Sequence, residues 1–574
     1  MSLVSGCPAP GIRASLLLSA LGWAGLLLLS CLATACSRPQ TSHLETHDEV
    51  DAAAAASRLT GGSIVLAASD AKDRLDPHID TSWEVLYVLS AVYDTLIYQA
   101  PDGRFVAGLA RDWQVADDGL RYRFELRSDV HFHDGTRFDA SAVKFNFDRI
   151  LALGPRSMKA AGLIAAVDHV DVVDATTVDV HLKRRDSGFL FALSLPYLGM
   201  VSPTAVRRWG DDYHRHQVGT GAFRITEYVP GDHYTLERNP DYTWGPSLDN
   251  HPGPAWLERI IWRFLPEPAT RAPALRAGDV DMAIDLLPTD VGQVHATPGL
   301  EVVRAPLAGQ TAYWFMNTRK FPTDDLRVRQ ALLYGTDMAT GVRAILRGQN
   351  PPAVGPLSAT TQDFARSPIG GYHHDPARAN ALLDAAGWTQ RDADGYRMRA
   401  GTPLTISVAV QPWGMSPTFS ILLQSELRSL GIRVELEQME FAVAVQAARD
   451  GRDNLAFFGG SGFSASDSLY PYFHSSNIAG GFAWSKHADP VLDRLLETGA
   501  AAISPRQRHD NYVAAQERIM EQALILPIYD FTLLIGKSTR IGGLQWRSVG
   551  IVPSFHDMYL VGPAPKPAAP SRSH

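Results

Sequence analysis

Residues 404–436 read LTISVAVQPWGMSPTFSILLQSELRSLGIRVEL. Leu404, Ile406, Val408 and Val410 alternate with Thr405, Ser407 and Ala409, the two-residue period of a half-buried strand. Residues 416–430 carry a helical pattern that Gly431 stops. Ile432, Val434 and Leu436 then alternate with Arg433, Glu435 and Glu437. Strand, helix and strand in this order predict a crossover within a parallel sheet, and hence an α/β fold.

The same grammar recurs outside this stretch. Leu120, Tyr122, Phe124 and Leu126 alternate with Arg121, Arg123, Glu125 and Arg127, which predicts a strand. Two helix starts are written out. Asp324 and Asp325 precede Val328, Ala331 and Leu332, so acidic residues sit at the positive end of the helix. Ser504-Pro505-Arg506-Gln507 joins an N-cap serine, a proline at the first helical position and a capping-box glutamine. No tandem repeats are visible. At 574 residues the chain is too long for one compact core and predicts two to four domains.

The net charge of −8 argues against nucleic acid as a partner, because phosphate binding requires a basic surface. Cys7, Cys31 and Cys36 are the only cysteines. The body from residue 37 onward can therefore hold neither a disulfide nor a Cys-based metal site.

Arg13 is the only charged residue before Cys36, and an apolar run follows it from Ala14 to Leu32. A basic start, an apolar middle and small residues near the exit predict an export signal over residues 1–35. The run also has the length of a membrane span, so a retained anchor is the alternative. Leu32-Ala33-Thr34-Ala35-Cys36 resembles a bacterial lipobox, with its leucine one residue further from the cysteine than usual. The resemblance implies lipidation of Cys36, and Leu28-Leu29-Ser30-Cys31 is a weaker competitor. Residues 36–62 are polar and Ala-rich without apolar periodicity, as a tether would be. The Pro-rich residues 563–574 read as a disordered tail.

Ordered motifs through the body carry a second resemblance. Leu75-Asp76-Pro77-His78 is followed by Tyr93-Asp94-Thr95-Leu96 and by the block from Asp117 to Phe145, with Val130-His131-Phe132-His133-Asp134-Gly135-Thr136 inside it. Further along stand Gly219-Thr220-Gly221-Ala222-Phe223, Leu236 to Tyr242, Leu275 to Asp281, Asp325-Leu326-Arg327-Val328-Arg329-Gln330-Ala331 and Phe473-His474-Ser475-Ser476-Asn477. In this order and spacing they resemble the family 5 bacterial extracellular solute-binding proteins, the peptide-, opine- and nickel-binding components of ATP-binding-cassette (ABC) importers.

The resemblance implies a two-lobed periplasmic-binding-protein fold of the large, cluster C type. Residues 63–305 would form lobe I, with an extra subdomain at about 95–217. Residues 306–524 would form lobe II, and 525–562 would return to lobe I. The lobes would close on a solute about hinges near 300–310 and 520–530. It implies a monomer outside the cytoplasmic membrane, in the periplasm or on the outer cell face. Its partners would be a short peptide or other small solute, the permease and ATPase subunits, and the membrane through the lipid. A tethered sensory or chaperone receptor without transport is an alternative role.

The resemblance also implies three ligand-contacting segments. They are Thr81, Ser82 and Trp83; the turn at Trp413; and the loop Phe458–Asp467. Peptide-binding members carry an aspartate in that loop for the peptide ammonium. Here Ser461 falls at that place and Asp467 is the carboxylate left. Either Asp467 takes the ammonium by a shifted loop, or the ligand lacks one. A peptide or peptide-like solute is the leading expectation, with an opine, a sugar conjugate or a nickel chelate open.

Catalytic chemistry has no foothold. There is no G-x-S-x-G, H-E-x-x-H or Gly-rich dinucleotide pattern, and Gly219-Thr220-Gly221 lacks the lysine of a phosphate loop. No cofactor and no metal site are expected. His131 and His133, His373 and His374, and His474 are read as structural rather than metal-ligating.

Overall fold

The computed structural model describes residues 58–69, 75–80, 85–366, 369–460, 462–547 and 552–562. The expected signal, Cys36 with its expected lipid, most of the tether and the tail lie outside them, as do Thr81, Ser82, Trp83 and Ser461.

The elements that build the sheets begin with β1 (Ser63–Ala68), β2 (Ala110–Val115), β3 (Arg121–Leu126) and α1 (Ala140–Leu153). They continue with β4 (Val167–Asp174), β5 (Thr177–Leu182), β6 (Phe223–Val229), β7 (His233–Arg238), β8 (Arg259–Phe264), β9 (Met282–Ala283) and β10 (Leu300–Pro306). After a first crossing come β11 (Ala312–Met316), α2 (Leu326–Gly335), β12 (Thr405–Val410), α3 (Ser416–Ser429), β13 (Arg433–Gln438), β14 (Leu455–Phe458), α4 (Ala465–Phe473), α5 (Pro505–Glu521) and β15 (Ile525–Tyr529). A second crossing leads to β16 (Thr532–Ser538).

Three sheets organise the lobes. The first is seven-stranded in the order β10-β16-β9-β1-β8-β7-β6. The second is five-stranded in the order β13-β12-β14-β11-β15. A four-stranded sheet, β2-β3-β5-β4, lies within the stretch expected to be the extra subdomain. The buried side chains follow this division. One core cluster gathers residues of the first and four-stranded sheets, and another gathers residues 312–529. Burying a large apolar side chain contributes about 1.5–3 kcal/mol, so each lobe has its own driving force.

Local chemistry explains the elements. β12 and β13 pair in parallel, Thr405 with Arg433 through Val410 with Gln438, with α3 as their crossover, as the pattern of 404–436 predicts. Asp325 caps α2 by accepting from Arg327 N at 2.9 Å. Ser504 caps α5 by accepting from Gln507 N at 3.5 Å, with Pro505 first in the helix. Arg329 of α2 is buried among carbonyls. It donates to Thr323 O at 2.8 Å and Gln522 O at 2.8 Å, and burial lowers its pKa to about 10.

The lobe boundaries differ from the sequence expectation by a few residues. β10 runs to Pro306, so the first crossing is 307–311. β15 pairs with β11 in the second sheet, which moves the second crossing from 525 to 530–531. The apolar run Leu524–Tyr529 has strand character but nothing that says which sheet it joins.

Candidate binding cleft

The two crossings run side by side between the sheets. Leu307 N donates to Phe531 O at 2.9 Å, tying one to the other. Gln310 Nε2 reaches forward to Ser468 O at 2.8 Å, and Thr311 Oγ1 to Gly355 O at 2.7 Å. Asp530, in the second crossing, is buried and accepts from Ala359 N at 3.1 Å. Burial pushes its carboxyl up to about 6.

The loop after β14 lies against this crossing. Gly459 has φ 152°, and a β-carbon there would stand 2.4 Å from Thr311 O, so only glycine lets the loop approach. Phe463 then leaves its own lobe. It is 7% exposed and packs within the core of the first lobe. Lys159, from the first lobe, holds its ammonium 5.1 Å from the Phe463 ring centre and 5.9 Å from that of Tyr197. Two bonds from Ser187 add to the interlobe contact, N to Ala500 O at 2.7 Å and Oγ to Gly499 O at 3.0 Å.

Residues of this loop line two cavities. One, of about 370 Å³, takes Asp285 and Leu286 from the first lobe, Trp413, Met415 and Gly460 from the second, and Phe531 from the crossing. The other, of about 730 Å³, takes Lys159, Asp186 and Phe191 from the first lobe and Asp467, Tyr470 and Phe482 from the second. Both volumes fall in the range of small-molecule sites.

Trp413 is half-buried in the smaller cavity, its ring centre 6.1 Å from that of Phe531 and 6.0 Å from that of Phe457. Asp467 faces the larger cavity but is already engaged. Its carboxylate accepts from Phe463 N at 3.1 Å, from Ser464 N at 2.7 Å and from Ser464 Oγ at 2.7 Å, closing a capping box on α4. Lys159 Nζ is 4.0 Å away. The Ser464-x-x-Asp467 spacing is a capping-box signature, which the sequence reading passed over. Asp285 was also missed. Its side chain is 53% exposed into the smaller cavity, with Arg271 Nη1 at 3.3 Å.

A buried ion pair stands just ahead of Thr81. Arg149 of α1 donates to Asp76 through Nη1 at 3.0 Å and Nη2 at 2.6 Å, and through Nη1 to His78 Nδ1 at 2.7 Å. His78 Nε2 donates to Gly199 O at 3.1 Å. Burial and then the Arg149 charge lower the His78 pKa to about 3. Burial raises Asp76, but Arg149 outweighs it and holds the carboxyl below its ordinary range.

Two of the histidines weighed in the sequence, His133 and His474, have side-chain partners in the structure. His133 Nε2 donates to Gly221 O at 3.0 Å, and burial lowers its pKa to about 4. His474 contacts Ser476 Oγ at 2.8 Å and Glu497 Oε1 at 3.2 Å.

Residues 104–480 match the family model of bacterial extracellular solute-binding proteins, family 5 (middle). The chain belongs to that family. Family 5 receptors are solute-binding proteins of ABC transporters, not enzymes. This one is 29% identical over 483 residues to a probable di/tripeptide-binding protein 5 of Pseudomonas aeruginosa, covering 79% of this chain and 87% of that one. It is 27% identical over 509 residues to the nickel-binding periplasmic protein of Escherichia coli, covering 85% and 93%. Among solved structures, NikA from Brucella suis in complex with Fe(III)-EDTA superposes with a TM-score of 0.78 at 25% identity, covering 87% of this receptor and 100% of that chain. The cluster C fold expected from the sequence is therefore the fold of the receptor.

Proposed function

We propose that this receptor delivers a short peptide or peptide-like solute to an ABC permease, tethered outside the cytoplasmic membrane by a lipid on Cys36. The observation that carries the reading is that the loop from Gly459 to Asp467 lends Gly460 and Phe463 to one cavity and Ser464 and Asp467 to the other, each also lined by residues of both lobes. A solute lying there touches both lobes and holds them together. Aromatic faces such as Trp413 and Phe531 suit apolar side chains. The larger cavity sets Lys159 and Arg184 against Asp186 and Glu497, charges of both signs that suit a zwitterion. The similarity to a di/tripeptide-binding protein supports the same class.

Thr81, Ser82, Trp83, Trp413, Ser461 and Asp467 are the proposed contacts. The capping box around Asp467 favours the version in which another group meets the ligand's cation. Asp285 is open to the smaller cavity and is suited to that task.

Mass spectrometry of the solute released from natively purified receptor tests the class. An intact peptide or peptide conjugate in one-to-one yield is expected, together with calorimetric binding of di- or tripeptides. Release of a metal chelate or an opine, with no peptide binding, would remove the peptide reading and keep the receptor. Tight peptide binding that survives Asp467→Ala and fails in Asp285→Ala places the ammonium at Asp285. For the anchor, Cys36→Ala should move the protein from the membrane to the soluble fraction.

A further inference from the structure

Two histidines and two aspartates meet in the first lobe, outside the lining of both cavities. His251 and Asp249 lie in the segment between β7 and β8, while His556 and Asp557 lie in the stretch after β16. One ligand atom each from His251, His556 and Asp557 falls within a 4.8 Å group. Both imidazoles use Nε2 on a backbone carbonyl, His251 on Pro254 O at 3.0 Å and His556 on Gly253 O at 2.7 Å. Such bonds place an N–H on Nε2 and turn Nδ1 toward the cluster, the orientation found on metal-ligating histidines.

The inward face gathers the two Nδ1 atoms and the carboxylates, and Asp557 also accepts from Asn250 N at 3.1 Å (Oδ1) and 3.0 Å (Oδ2). His251 Nδ1 is 3.0 Å from Asp557 Oδ1. His556 Nδ1 is 3.5 Å from the same oxygen and 3.4 Å from Asp249 Oδ2. Among the described residues, neither His556 Nδ1 nor Asp249 Oδ2 makes a hydrogen bond. These side chains are buried: His556 and Asp557 are 2% exposed, Asp249 3% and His251 11%. Imidazole nitrogens facing carboxylate oxygens away from water need a proton or a metal cation between them.

Two protons could supply that charge. They would set two imidazolium rings face to face, since the His251 and His556 rings stack at 4.2 Å. One divalent cation brings the same charge without that repulsion. Arg547 pairs with the other oxygen of Asp249 and would hold it as an outer partner.

We propose that His251, His556, Asp557 and Asp249 form a zinc site that clips the C-terminal segment of the receptor to the 249–257 loop. Two imidazole nitrogens and two carboxylate oxygens make a four-coordinate set suited to Zn²⁺. For both lone pairs to meet one ion, one ring turns out of the stack. His251, the more exposed ring, also stacks on Trp256 at 4.1 Å, so its movement changes the surroundings of that indole.

The test uses the full mature receptor stripped by a chelator and titrated with zinc against a chromophoric chelator at neutral pH. One zinc per chain is expected, with a change in tryptophan fluorescence and imidazole nitrogen in the X-ray absorption spectrum. His251→Gln and His556→Gln, each checked by circular dichroism for a native fold, should weaken binding at least tenfold. The exposed group of His169, Asp171 and His181 is the internal control, and His169→Gln should leave binding unchanged. Absence of stoichiometric uptake by the wild type overturns the proposal. So does unchanged affinity in folded His251→Gln, or loss of uptake in His169→Gln.

Discussion

Phe463 is carried by the second lobe but buried in the core of the first, with the Lys159 ammonium 5.1 Å from its ring centre. Separating the lobes would expose this side chain, so it is expected to act as a latch between them. Burying it contributes about 1.5–3 kcal/mol to closure. Phe463→Ala should weaken binding of the co-purifying solute by roughly 10- to 100-fold. The melting temperature of the solute-free receptor should change little. Lys159→Ala should act in the same direction with about 0.5–1 kcal/mol, read by calorimetry and small-angle scattering.

Arg149 neutralises Asp76 where neither reaches water freely, with side-chain exposures of 11% and 2%. Removing one partner leaves a buried charge uncompensated, at a cost of about 3–5 kcal/mol. Arg149→Met should lower the urea midpoint accordingly. The double variant Asp76→Leu, Arg149→Met should recover part of that loss. Equal midpoints for the single and double variants would show that the pair does not act as a unit.

Asp530 gives the crossing a pH dependence of known sign. Its folded pKa, about 6, lies above the ordinary 3.8, so the folded state holds a proton that the unfolded state has lost. Between these values stability falls as pH rises, by about 3 kcal/mol if the whole shift is realised. Asp530→Asn keeps an acceptor for Ala359 N and removes the titration. Denaturation curves from pH 4 to 7 should therefore show a contribution in the wild type that is missing in the variant.

Gly459 fixes how near the cleft loop comes to the first crossing. A methyl group there meets Thr311 O at 2.4 Å and the Ala312 Cα at 2.8 Å, both backbone atoms that cannot swing away. Gly459→Ala should cost about 1–3 kcal/mol in thermal or urea unfolding. It should also reduce solute affinity, because the loop must withdraw from the crossing.

What the sequence showed and what it hid divide along one line. Periodicity and caps are local, so the β12-α3-β13 crossover and the starts of α2 and α5 at Asp325 and Ser504 could be read from neighbouring residues. Trp413 was named through the family resemblance rather than by a local pattern, and it lies in the lining of the smaller cavity. Asp467 was the one carboxylate left in its loop for a ligand ammonium, and Ser464, three residues before it, engages it as a cap. Phe463, Lys159 and Asp285 had no local signal, because their roles arise where the two lobes meet. The meeting of His251 with His556 depends on segments 305 residues apart in the chain, and no short pattern records it.

The order of strands also fixes when the receptor can be finished during its synthesis. Among the described residues, β10 joins the rest of the first sheet only through β16, which pairs with β10 on one side and β9 on the other. The second lobe is one uninterrupted stretch, complete once β15 has been made. A nascent chain that has reached Tyr529 thus carries every strand of its second lobe and an unfinished first one. An open strand edge invites pairing with other chains, so this interval is the exposed moment in the molecule's life. The same arrangement keeps the first lobe from locking before β16 has been made.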